Sequence, residues 1–257
     1  MTDPLTPAPT TAQAVAQIRE HGVAVLPDLL VQTQVAAGRQ ALSEVFAAEE
    51  DIAAERGWLT DTARTSHLLL AKHDAFVSLW DRPRAVALGR TVLGDDMVLS
   101  SFDGHGARPG APATPPRRDH PFPTPGLPLL LNVICALDPL DERSGAPRLV
   151  PIAVGGYGDD AADAERSARD VPLPPGWAVV YDAALWQATA PNATDQERRS
   201  LRITFTRAWI QQRWYFPSSL PGSIARQLTD DQRTLLGAGS GPLRWDPQTR
   251  RVLAPTD

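Results

Sequence analysis

Leu201-Arg202-Ile203-Thr204-Phe205-Thr206-Arg207-Ala208-Trp209 alternates bulky apolar with polar side chains. A period of two sends successive residues to opposite faces of a strand. One face of this segment is therefore buried, and the other is wet or lines a polar cavity. Shorter β-like runs separated by Pro and Gly precede it, at Val98 to Phe102, Leu129 to Leu137, Arg148 to Val150 and Trp177 to Tyr181. Between them, Arg108 to Pro116 carries four prolines and reads as an ordered, irregular loop, while Gly158 to Arg169 reads as a small polar helix.

Further back the period changes. Ala12, Val15 and Ile18 recur every three residues behind a capping Thr10 or Thr11, and Gly22 is placed to stop that helix. Val23 to Leu26 reads as a strand ended by Pro27. Val35, Leu42, Val45, Phe46 and Ile52 predict one amphipathic helix over about 31 to 56. A second helical stretch covers about 74 to 94, broken by Pro83, with Asp81 placed to cap the following piece and Gly94 to end it. Helices first and short strands after fit an α+β class in which helices buttress a β-sandwich or barrel. A single domain over residues 1–257 is expected, with 1–10 as a flexible lead-in.

With 257 residues, a net charge of -5 and a pI near 5.5, the chain has no basic footprint for a phosphate backbone. No run approaches the roughly 20 apolar residues of a membrane span, and the Thr- and Pro-rich start lacks the cationic and apolar regions of a signal peptide. Cys135 is the only cysteine, which leaves no intramolecular disulfide and suits a reducing, cytoplasmic setting. A small-molecule substrate is the expected partner, with neither nucleic acid nor membrane; oligomeric state is open.

Two further segments carry the chemistry. The first is Pro115-Pro116-Arg117-Arg118-Asp119-His120-Pro121-Phe122. The second is Leu185-Trp186-Gln187-Ala188-Thr189-Ala190-Pro191-Asn192, followed by Arg198-Arg199-Ser200-Leu201-Arg202. Together with Ser101-Phe102-Asp103-Gly104, the stretch Asn132 to Ala146 and Pro175-Gly176-Trp177, their order and spacing resemble the phytanoyl-CoA dioxygenase family of iron(II)/2-oxoglutarate oxygenases. The resemblance covers roughly residues 15 to 240. It implies a double-stranded β-helix, a jelly-roll, cupin-like barrel with its active site in the open mouth.

In that family a His-x-Asp pair and a distant His hold iron, so the resemblance puts Arg117 and Gln187 where two histidines are expected and leaves Asp119 as the surviving ligand. A guanidinium cannot ligate a cation, but it can pair with a carboxylate and take the cation's place. No histidine lies beyond His120 to restore the set. Arg117, Asp119 and Gln187 are thus the candidate catalytic residues, with iron and 2-oxoglutarate expected to be lost. Arg198 occupies the position of the arginine that grips the distal carboxylate of 2-oxoglutarate, a role its planar fork suits. Tyr181 and Trp186 are a candidate substrate wall or packing residues. Asp103 and His105, at i and i+2 on a strand, are a candidate acid/base pair near the mouth. Three functions stay open: a metal-independent enzyme performing cyclisation, isomerisation, epimerisation or elimination on a carbonyl-bearing metabolite; an inactive binding or assembly protein; and an oxygenase with an atypical metal site.

Overall fold

Thr10 and Gln13 form a reciprocal capping box that starts helix α1 (Thr11–His21), and Gly22 ends it at φ +73°. The chain then enters β1 (Val23–Leu26) and, after a turn, α2 (Gln32–Ala48). The computed structural model describes residues 5–239, 244–246, 248 and 250–253. In chain order the next elements are α3 (Glu50–Glu55), β2 (Ala63–Ser66), α4 (Pro83–Leu93), β3 (Val98–Ala107), β4 (Leu130–Ala136), β5 (Pro147–Leu149), α5 (Ala161–Ser167), β6 (Arg169–Asp170), β7 (Ala178–Asp182), β8 (Gln187–Thr189) and β9 (Arg198–Thr206). Three short helices, α6 (Phe216–Ser219), α7 (Gly222–Ala225) and α8 (Asp230–Leu235), follow.

Strands β1 to β9 form two sheets, and Arg244–Asp246 pairs with Arg251–Leu253 in a separate two-stranded one. The larger runs β1-β7-β4-β9-β3-β2, and the smaller runs β6-β5-β8, every pairing being antiparallel. A lone bridge from Arg117 to Gln187 extends the smaller sheet beyond β8. This is the α+β jelly roll with N-terminal helices against one face. Leu201, Ile203 and Phe205 point outward and join Leu42, Leu69, Phe102 and Val133 in the core beneath the helices. A second apolar cluster, including Val23, Val179, Tyr181 and Leu149, ties the two sheets together at the β1 side. Gly104 lets α2 approach: a Cβ there would lie 2.3 Å from Leu42 Cδ1.

Several expectations change. The helix over 31–56 breaks at Glu49, whose carboxylate is taken by Lys72 at 2.6 Å and by the Ser66 hydroxyl at 2.8 Å. Asp81 does not cap α4; it accepts from Gln232 Nε2 at 2.7 Å, and Arg82 holds the cap position. Residues 115–122 form no strand beyond the single bridge at Arg117. Pro115, Pro116 and Pro121 lack the N–H a ladder needs. Of the expected lead-in, residues 1–4 lie outside the described residues, but Ala8 is buried, donates its N–H to Val25 at 2.8 Å and accepts from Arg84 at 2.9 Å.

Candidate active site

Cross-strand pairing sets Tyr181 of β7, Asn132 of β4 and Thr204 of β9 side by side on the inner face of the large sheet. Arg202 lies two residues along β9 on that same face. Asp119 is brought over this row by the 115–122 loop. The loop is pinned at one point by the paired N–H···O bonds of Arg117 and Gln187, each 2.9 Å, and at another by the N–H groups of Asp119 and His120, which both donate to the Ala183 carbonyl at 3.0 and 2.9 Å. The Ala183 turn is itself fixed by buried Asp182, which accepts from Tyr157 Oη at 2.7 Å and Ala184 N–H at 3.0 Å. Burial pushes the Asp182 carboxyl above its ordinary value.

The two oxygens of Asp119 have different surroundings. Oδ2 accepts from Asn132 Nδ2 at 3.1 Å, from Tyr181 Oη at 3.0 Å and from the Arg202 guanidinium in a close ion pair. Thr204 in turn donates to Asn132 Oδ1 at 2.8 Å, which aims the amide nitrogen at Asp119. Oδ1 faces Arg117, whose Nε stands 3.9 Å away. Gln187 Oε1 accepts from Arg117 Nε and Nη2 at 2.9 and 3.2 Å; the reverse amide orientation would set an NH2 against the guanidinium for a 3.5 Å contact to Asp119. Burial pushes the pKa of the Tyr181 hydroxyl well above its ordinary value, with Asp119 adding to the shift, so Tyr181 is a donor at neutral pH. Burial disfavours charge on Arg202, but Tyr181 and Asp119 more than offset it and raise its pKa.

A cavity of about 490 Å³ opens between the sheets beside this group, with Arg117, Gln187, Arg198, Arg202 and His105 in its wall. His105 has a pKa of about 3, because burial and then the charge of Arg202 disfavour its cation. Its Nδ1 lies 3.4 Å from the Thr65 hydroxyl, and its buried Nε2 has no hydrogen-bond partner among the described residues. Asp103 and His105 share a face, yet Asp103 bonds elsewhere, to His67 Nδ1 at 3.1 Å and the Leu68 N–H at 3.3 Å. Burial alone would raise the Asp103 pKa; the His67 bond and the charges of both histidines pull it below its ordinary value. Trp186 lies outside the cavity wall, with its Nε1 donating to the Gly158 carbonyl at 2.6 Å and the Arg118 guanidinium stacked 4.5 Å over its ring.

The structure thus brings Arg117, Asp119, Gln187 and Tyr181 together, with Arg198 in the same cavity and Asp103 and Trp186 engaged at its edges. Sequence reasoning singled out neither Arg202 nor Asn132 as an Asp119 partner. The polar face of the alternating strand and a lone Asn within the apolar run 129–137 were the available signals. Among the described residues no group of three or more His, Cys, Asp or Glu side chains stands together in a metal-binding arrangement.

A family model described as phytanoyl-CoA dioxygenase matches residues 18–200. Dioxygenase af480 of Aspergillus fumigatus is 26% identical over 239 residues, spanning 87% of this chain and 75% of that protein. Among solved structures, the non-heme alpha-ketoglutarate-dependent carbocyclase SnoK from nogalamycin biosynthesis superposes with a TM-score of 0.64 at 20% identity, over 86% of this chain and 93% of its own. SnoN, a non-heme alpha-ketoglutarate-dependent epimerase from the same biosynthesis, gives 0.59 at 20% identity over 83% and 90%. Likeness at that identity speaks to the shared fold. The chain belongs to the phytanoyl-CoA dioxygenase family.

Proposed function

We propose that this protein is a metal-independent enzyme of specialised metabolism that performs acid/base chemistry on a carbonyl-bearing small molecule. The supporting observation is the asymmetry of Asp119: three donors hold Oδ2, while Oδ1 has Arg117 Nε 3.9 Å away, behind the part of the cavity wall that Arg117, Gln187 and Arg202 form. Iron(II), the family's usual metal, does not fit this donor set. A mononuclear oxygenase centre needs neutral imidazoles and a carboxylate with free lone pairs. Here the imidazole positions carry a guanidinium and an amide, and Asp119 is already engaged by Arg202.

In this reading Asp119 Oδ1 takes and returns a substrate proton, and a positioned carboxylate suits that work. Arg117, oriented by Gln187, meets the negative charge that develops on the substrate oxygen. Arg202, Tyr181 and Asn132 hold the carboxylate in place. The relatives add context: a scaffold shared with a carbocyclase and an epimerase already serves ring closure and stereochemical inversion. The retained Arg198 is placed to take a carboxylate of the substrate.

The test is proton exchange. Chelator-treated protein in D2O, offered a panel of carbonyl-bearing acids, is expected to place deuterium at the carbon next to the carbonyl, read by mass spectrometry. Asp119→Asn should abolish it. Undiminished exchange in that variant, or exchange only after iron(II) and 2-oxoglutarate are supplied, contradicts the proposal.

A further inference from the structure

Arg117, Asp119, Tyr181 and Gln187 each have a sequence neighbour that faces the opposite way. Arg117 and Gln187 stand opposite each other in a hydrogen-bonded bridge, so their side chains share the inner face. Arg118 and Trp186, one step along, share the outer face, and Asp182 follows Tyr181 on β7 in the same sense. These three outer side chains converge on one loop, Gly155-Gly156-Tyr157-Gly158.

The Gly158 carbonyl accepts from Trp186 Nε1 at 2.6 Å and from the Arg118 guanidinium, which engages both of its lone pairs. That guanidinium is largely buried (10% exposed) and lies 4.5 Å over the Trp186 ring, where desolvation strengthens a cation–π contact. Asp159, 3.6 Å away and fully in solvent, adds little to its hold. The Gly156 carbonyl takes the Trp186 N–H at 3.3 Å, and Tyr157 Oη donates to Asp182 Oδ2 at 2.7 Å. Burial, and then the Asp182 bond, raise the Tyr157 pKa well above its ordinary value, so the hydroxyl stays a donor. Asp182 in turn fixes the turn whose Ala183 carbonyl holds the Asp119 and His120 N–H groups. The loop itself has little room to move. It runs from a 3-10 turn at Ile152–Val154 to the Asp160 cap of α5, and a Cβ on Gly156 would lie 2.4 Å from the Val150 carbonyl and 2.6 Å from Leu185 Cδ2.

We propose that residues 155–158 form a clasp that sets the geometry of the site from behind, with Arg118, Trp186 and Tyr157 as positioning residues for Asp119, Arg117 and Gln187. The clasp grips both sides of the seat on which the 115–122 loop rests: Arg118 on the loop itself, and Trp186 and Asp182 on the segment that the loop bonds to. Releasing one grip leaves the sheet ladders and the core in place but lets Asp119 leave its donors, and a small misplacement of a reacting group is costly in rate. The inference rests on Asp119 as the working group of the proposed function.

Arginine-selective 15N labelling tests the clasp without a substrate. The Arg202 guanidinium signals, assigned through Arg202→Lys, report the ion pair with Asp119. Arg118→Met and Tyr157→Phe should each move these signals toward their position in Asp119→Asn, and should lower deuterium incorporation in the exchange assay by about tenfold or more. Trp186→Phe keeps the ring under Arg118, loses only the donor to Gly158, and should give a smaller shift. Arg118→Lys keeps a cation over Trp186 and a donor for Gly158, and should recover most of the Arg202 signal; thermal melts check that each variant is folded. Arg166→Met, which breaks an exposed pair with Asp163, is the control and should change neither readout. Arg202 signals that stay in place in both Arg118→Met and Tyr157→Phe overturn the clasp, as does an equal shift in Arg166→Met. Displaced Arg202 signals with undiminished deuterium exchange leave the clasp standing and contradict the base role of Asp119 instead.

Discussion

Asp119 is held as a one-sided group: its Oδ2 is engaged by Asn132, Tyr181 and Arg202, and its Oδ1 faces Arg117. Asp119→Asn keeps the shape and removes the charge, and turnover should fall about 10²- to 10⁴-fold in a steady-state assay. Tyr181→Phe removes one donor and should cost about 1 kcal/mol of stability in urea denaturation, with a smaller effect on rate. His105 gives a pH signature. Its pKa is lowered from 6.5 to about 3 by burial and the nearby Arg202 charge, so between those values the unfolded chain binds the proton and the folded one does not. Stability should therefore fall as pH drops through that window and carry no His105 contribution above it. His105→Asn should flatten this acid limb in urea denaturation, and an unaltered limb would contradict the assignment. That Asp119, Arg117 and Gln187 lie close together was legible in the sequence because the family's motif order brings their segments side by side. Arg202 was not, since alternation along β9 says which face a residue takes but not what crosses the barrel to meet it.

At the scale of elements, periodicity found α1, β1, β4, β7 and β9 to within a few residues, because each keeps one apolar face against the core. It failed where a distant side chain or the absence of an N–H decided the outcome. The break between α2 and α3 falls at Glu49, whose carboxylate is held by Lys72 and Ser66, long-range contacts that the local period cannot register. The strand β2 was missed, and it forms by pairing with β3, Thr65 opposite His105. The prolines of 115–122 keep that segment a loop, and that loop is what swings Asp119 over the row of donors. Packing of α2 on the sheet depends on Gly104, where a side chain would collide with Leu42. Gly104→Val should lose about 1–3 kcal/mol of stability in urea denaturation, and a neutral effect would mean that the helix does not rest on β3.

For the whole molecule, an acidic chain with a net charge of -5 encloses a cavity walled by arginines. The family fixes the scaffold, and the side chains it carries decide what the scaffold can hold. The central claim is that guanidinium and amide groups now occupy the space a metal centre would need. Anaerobic titration of chelator-stripped protein with iron(II) and 2-oxoglutarate, followed by calorimetry and by the visible charge-transfer band of a chelated keto acid, tests it most directly. The account predicts no iron(II) binding and no band. Tight iron(II) binding with the band would contradict it and make the protein an oxygenase with an unusual ligand set.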